Sequence, residues 1–252
     1  MRPGVAAVVA DLARPSLPRR LPSRADAVVH LAQAYLPFPD RAEEIFQVNA
    51  GSTQRLAEYA RQAGVRRFLF TSSGSVYRPS PKPLRETSPT RPSVYHPATK
   101  LMAETTLGYY RPWFSIGTLR LFAPYGPGQV DRLIPRMVDA VRAGRAVTLS
   151  RSGEPRINPI YIDDVVAILR QALSGSDSYT VNVAGPRPLS MRELAELIGR
   201  VVGRRPRFEH RDTEVAGDLV GDTRLMFRLF SIDDLVDPFQ GLDRVTAAGR
   251  RS

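Results

Sequence analysis

Four short apolar runs, Val5–Ala10, Ala27–Leu31, Arg67–Ser72 and Ser115–Phe122, recur along the first half of the chain with helical patterns between them. Each has the length of a strand and is bounded by turn residues. Between the second and third runs, Arg41–Gln62 carries Ile45, Val48, Leu56 and Tyr59 close to helical spacing, and Gly64 stops it. Pro97–Tyr110 reads as a second helix, with Pro97 at its first position. Strands that alternate with helices pair side by side in the same direction. The pattern therefore predicts an α/β fold with a parallel sheet covered on both faces.

After Gly126 the texture changes. Helix Arg132–Arg142, strand Val147–Leu149, helix Asp163–Leu173, strand Tyr179–Val183 and helix Met191–Val202 follow in quick succession. This predicts a core over residues 1–125 and, over 126–252, a smaller lobe interleaved with the last core strands. The proline-rich Tyr77–Pro92 is a long loop, and long loops inside compact domains are usually functional.

Composition narrows the function classes. The 252 residues contain no cysteine and three scattered histidines, His30, His96 and His210, so no metal-ligand set is expected. No apolar run is long enough to cross a bilayer, and the six apolar residues before Asp11 are too few for a secretory leader. A cytoplasmic protein with no membrane partner is expected. The net charge of +11 comes almost wholly from arginine, since lysine occurs only at positions 82 and 100. The arginines are spread along the chain rather than gathered into an aromatic-interleaved patch. A generally positive surface is therefore expected, not a nucleic-acid partner.

Eight phrases, in order, carry a resemblance. They are VVADLARP (8–15), DAVVHLAQA (26–34), VNAGSTQRLAEYAR (48–61), VRRFLFTSSGSVY (65–77), ATKLMAE (98–104), LRLFAPYGPGQ (119–129), PIYIDDVV (159–166) and VNVAGPRPLSMRELAELI (181–198). Together they resemble the extended short-chain dehydrogenase/reductase family, whose members are NAD(P)-dependent epimerases and dehydratases, often of nucleotide sugars. The resemblance implies a Rossmann-like doubly wound sheet with a small α/β C-terminal lobe, and NAD or NADP as cofactor. It implies Asp11 and Leu12 beside adenine, Leu31 and Ala32 along the ribose and diphosphate path, Asn49 beneath the dinucleotide, and Ser72 on the cofactor side. Ser73 matches the serine that bonds the reacting oxygen. Lys100 matches the lysine that binds nicotinamide ribose and lowers a tyrosine pKa. Phe122, Ala123 and Arg156 fall on the substrate side. The helices 41–62 and 97–110 match the family's four-helix dimer interface, which implies a homodimer.

Four departures qualify this. The 252 residues hold no G-x-x-G-x-x-G turn, whose backbone N–H groups would meet the pyrophosphate at a helix N-terminus. Weak or absent cofactor binding is expected, along with a truncated sheet in which Val5–Ala10 has lost its neighbours. Second, counting back four residues from Lys100 reaches His96, not Tyr95. On a helix, four residues turn by about 40° and five by about 140°. His96 is then in register. If Pro97 opens the helix, however, Tyr95 lies in non-helical chain and could curl inward, so both remain candidates. Third, the family's asparagine in R-x-F-N is Ala123. Fourth, the family's diphosphate-clamping arginine is Ile157, with Arg156 one residue early. Asp163 and Asp164 read as a helix start rather than a paired-carboxylate site.

The expected function is an epimerase/dehydratase-type reaction on a hydroxylated small molecule, a sugar or specialised metabolite. A phenol or imidazole beside an ammonium can take a proton from a hydroxyl while hydride leaves for nicotinamide, and a serine steadies the oxyanion. The alternatives are a cofactor-free lyase, isomerase or cyclase using Ser73, His96 or Tyr95, and Lys100, or a non-catalytic binding subunit.

Overall fold

The computed structural model describes residues 4–150, 155–212 and 217–248. Its central element is a four-stranded parallel sheet in the order β1-β2-β3-β6, from β1 (Ala27–His30), β2 (Arg67–Ser73), β3 (Ser115–Leu121) and β6 (Tyr179–Val183). β1 and β2 pair in register from Ala27 opposite Arg67 to His30 opposite Phe70. β2 is buried along nearly its whole length, as befits a strand covered on both faces.

Val5–Ala10 does not join this sheet and forms no strand. A strand is made by the hydrogen bonds of its neighbours, and β1 holds the sheet edge, with no strand beyond it among the described residues. Val5, Val8 and Val9 are accordingly 61%, 48% and 86% exposed. Ala10 and Leu12 nevertheless pack against the core below.

The first helical stretch is broken into α1 (Ala42–Phe46), a π-turn (Gln47–Gly51) and α2 (Ser52–Gln62). Helix α3 runs Tyr95–Gly108 with Val94 as its extended cap residue, so it starts two residues earlier than Pro97 suggests. The first four N–H groups of a helix have no internal partner, so proline fits anywhere in that turn. Pro97 is the third helical residue.

The chain divides into two compact units, each assembled from separate stretches. The first (1–76, 90–119 and 172–180) is held by Leu56, Ala57, Ala60, Phe68, Phe70, Ala103, Leu107 and Ile116, the apolar faces of α2 and α3 against the sheet. The second (77–89, 120–171 and 181–252) contains α4 (Leu133–Ala143), β4 (Ala146–Ser150), β5 (Arg156–Ile157), α5 (Ile162–Leu173), β7 (Leu189–Ser190), α6 (Met191–Val202), β8 (Arg207–Arg211), α7 (Arg224–Leu229) and α8 (Pro238–Ala248), with the last two residues of α5 counted in the first unit. Here β4 pairs parallel with β8, and β5 antiparallel with β7. Ser190 and Glu193 cap α6 reciprocally: each side chain accepts from the other's backbone N–H.

Within the second unit the proline-rich loop is pinned along its length. Leu84 donates to Val220 O and accepts from Asp222 N, both at 2.8 Å. The buried Tyr77 hydroxyl donates to Asn182 Oδ1 at 2.7 Å, and Asn182 Nδ2 donates to Leu84 O at 2.8 Å.

Candidate active site

One face of the first unit gathers most of the chemistry. His30 and Phe70 are side-by-side partners on β1 and β2, with ring centroids 5.5 Å apart. Helix α2 covers the imidazole: His30 Nε2 lies 3.0 Å from Thr53 Oγ1 and 3.4 Å from Ser52 Oγ. Helix α3 covers the phenyl ring, placing Lys100 Nζ 4.4 Å from its centroid. Lys100 is 1% exposed and its ammonium makes no hydrogen bond. Burial pushes it down to about 8, with Glu104 pulling it part of the way back. Burial and then the neighbouring Lys100 charge push His30 down to about 3, so this histidine is neutral.

Asn49, on the π-turn, ties the surrounding backbone together. Its Oδ1 accepts from Ala34 N at 2.7 Å, and its Nδ2 donates to Ala34 O and to Thr99 Oγ1. Thr99 Oγ1 in turn donates to His96 O at 2.7 Å. The segment leaving β1 is thereby fastened to the first turn of α3. That segment carries Gln33 and Tyr35 to His96: Gln33 Oε1 lies 3.2 Å from His96 Nε2, and the two rings meet edge to face at 4.9 Å.

Tyr95 and His96 are both helical, five and four residues before Lys100. His96 lies one turn before Lys100 and turns towards the β1 segment. Tyr95 points elsewhere and stacks on Phe38 at 4.7 Å. Ser73 ends β2 half-buried, its Oγ accepting from Ser75 N at 3.1 Å. The Ser72 hydroxyl beside it is buried and makes no hydrogen bond. Leu31 and Ala32 follow β1 at its carboxyl end, Leu31 being 52% exposed. Asp11 caps a turn, accepting from Ala13 N and Arg14 Nε, and Leu12 O accepts from Arg55 Nη2 at 2.6 Å. Among the described residues no group of three or more His, Cys, Asp or Glu could hold a metal, and no helix is long and apolar enough to cross a membrane.

The substrate-side positions lie in the second unit. Phe122 is buried and stacks on Tyr77 at 6.1 Å. Ala123 holds φ of 41°, in the left-handed region that asparagine or glycine tolerates better than alanine. Arg156 is held by Asp218 at 3.0 Å. Asp163 and Asp164 open α5: Asp164 accepts from Val236 N and Asp163 pairs with Arg244.

His30, Gln33, Thr53 and Thr99 are the residues that reading by motif passed over. A histidine closing an apolar strand was the available signal, in DAVVHLAQA.

The fold is that of a Rossmann-like α/β protein with a parallel central sheet. The family model described as the NAD dependent epimerase/dehydratase family matches residues 3–184, and the chain belongs to that family. A UDP-glucose 4-epimerase of Mycolicibacterium smegmatis is 34% identical over 166 residues, 62% of this chain and 53% of the relative. A dTDP-D-glucose 4,6-dehydratase of Mus musculus is 30% identical over 178 residues, 68% of this chain and 50% of the relative. The chain thus spans about half the length of the curated relatives it matches. Among solved structures, MoeE5 in complex with UDP-glucuronic acid and NAD superposes with a TM-score of 0.85 at 28% identity, over 96% of this chain and 84% of that one.

Proposed function

We propose that this chain carries the proton-transfer half of an NAD-dependent epimerase or dehydratase acting on a hydroxylated sugar-type substrate. The observation that supports it most is Lys100, a buried ammonium without a hydrogen bond, one helical turn from His96. Buried charges are normally paired, so such a group suits a site whose partner arrives with a ligand. The unbonded Ser72 hydroxyl and the fastened β1 segment fit the nicotinamide end of a dinucleotide. NAD, when bound, supplies a hydride acceptor and donor at the substrate carbon. His96 takes the proton from the substrate hydroxyl, and Lys100 stabilises the negative charge that develops on the substrate oxygen and holds the ribose. Ser73 donates to the oxyanion as it develops.

The names of the relatives favour a nucleotide sugar. Ile157 at the diphosphate-clamp position and the engagement of Arg156 by Asp218 favour a substrate whose diphosphate is held differently. Because the 252 residues contain no glycine-rich pyrophosphate turn, they alone hold NAD or NADP in the high micromolar range or more weakly. The outer faces of α2 and α3 form a homodimer contact, measurable by light scattering.

Calorimetry with NAD and NADP tests the cofactor reading, and incubation with NAD and either UDP-glucose or UDP-glucuronic acid, followed by sugar analysis, tests the chemistry. Measurable but weak NAD binding is expected. Sub-micromolar binding refutes the weak-cofactor reading. No NAD binding at all, with sugar conversion intact, refutes the redox reading.

A further inference from the structure

At the amino-terminal ends of the sheet strands, opposite the end where Ser73 closes β2, lies a pocket of about 710 Å³ within the first unit. The first residues of three strands, Ala27, Arg67 and Ser115, contribute to it, as does Ser178 just before β6. We propose that this pocket is a binding site for a phosphate-bearing small molecule.

Its floor is Arg67, a charged side chain only 4% exposed. Nε donates to Ala172 O at 3.0 Å, Nη1 to Asp177 O at 2.6 Å and to Ser115 Oγ at 3.2 Å, and the guanidinium lies 4.9 Å from the Tyr179 ring centroid. Nη2 has no hydrogen-bond partner. Gly117 and Gly175 leave room for it, since a Cβ at either would come within 2.8 or 3.4 Å of that nitrogen. Every one of these partners is neutral. A buried cation without a counter-charge is costly, and the fold retains it here against a cavity large enough for a small metabolite.

The rim supplies the rest of an anion site. Arg66 and Arg111 add two exposed guanidiniums, against a single lining carboxylate, Asp26, which Arg66 already engages at 3.0 Å. Guanidiniums match phosphate oxygens in pairs of parallel N–H bonds. Between α5 and β6 the turn Ser174-Gly175-Ser176 offers two exposed hydroxyls that bond nothing else among the described residues. Trp113, 55% exposed on one wall, provides a flat apolar face beside these donors. This constellation stands apart from the proton-transfer groups and does not depend on the reading given for them.

Trp113 is the chain's only tryptophan, so its emission reports directly on the pocket. The test is a titration with inorganic phosphate and inorganic pyrophosphate at constant ionic strength, with chloride as the control anion. A saturable change is expected with either phosphate in the millimolar range or below. Arg111→Ala and Arg66→Ala are both exposed and should keep the parent's circular dichroism while weakening binding by roughly tenfold or more. Arg207→Ala, an exposed arginine of β8, should leave it unchanged. A linear response without saturation overturns the proposal. So does an affinity that Arg111→Ala and Arg66→Ala leave intact, or one that Arg207→Ala lowers equally, since general surface charge would then be the cause.

Discussion

Replacing Lys100 by methionine keeps the apolar stem in place and removes the buried ammonium. In the folded chain this group titrates near 8 instead of its ordinary 10.5. That difference corresponds to roughly 3 kcal/mol of destabilisation whenever the group is charged in both states. With Lys100 only 1% exposed, solvent screening takes little away. The contact with the Phe70 ring returns about 1–2 kcal/mol. Lys100→Met should therefore be more stable than the parent at neutral pH, by about 1–2 kcal/mol, although it removes a group placed in the chemistry. The sign follows from the protons. Between pH 8 and 10.5 the unfolded chain still holds a proton that the folded chain has lost, so the parent's stability rises with pH across that window. The variant lacks this rise, and because the neutral amine also gives up the ring contact, the gap between them should close by about 1–2 kcal/mol. Urea unfolding followed through Trp113 emission, at neutral pH and again above pH 10.5, measures both quantities. A variant less stable than the parent by the same amount at both pH values would refute the account of Lys100 as a desolvated cation.

Two further outcomes follow from the same geometry. His30 titrates near 3 when folded and at 6.5 when unfolded, so stability should fall as pH drops from 6.5 towards 3, by a sum on the order of 5 kcal/mol. His30→Gln should flatten that part of the pH profile, and an unchanged slope in acid urea titrations would contradict it. Ala123→Asn should raise stability by about 0.5–1 kcal/mol, because asparagine tolerates the left-handed backbone that alanine resists. A melting temperature that falls in this variant would count against the strain.

The strand and helix alternation was legible because each element carries its own period. β6 and α6 match the expected spans residue for residue. β1, β2 and β3 differ by a residue at one end, and β4 by a residue at each end, while the short β5 and β7 and the strand β8 were not expected. Val5–Ala10 misled for a reason outside its own sequence: an apolar run supplies the side chains of a strand but not its neighbour. Pro97 marks a first turn rather than a first residue: α3 starts at Tyr95, so both candidates, Tyr95 and His96, are helical. The neutral state of His30 depends on its burial and on the charge of Lys100, 70 residues away, while Ser52 and Thr53 reach its ring from 22 and 23 residues away. No local pattern encodes such a meeting. The same holds for Arg156, whose capture by Asp218 spans 62 residues.

The central claim is that His96, and not Tyr95, takes the acid/base position one turn from Lys100. It is tested most directly by comparing His96→Phe, Tyr95→Phe and Lys100→Ala on a substrate that the parent converts, with the rate of sugar conversion as the readout. Lys100→Ala should show the greatest loss and His96→Phe a loss of about 100-fold or more, the usual consequence of removing a positioned acid/base group. Tyr95→Phe, which keeps the ring stacked on Phe38, should stay within a few-fold of the parent. Abolished activity in Tyr95→Phe with His96→Phe intact would contradict the register, and three variants equal to the parent would contradict the site.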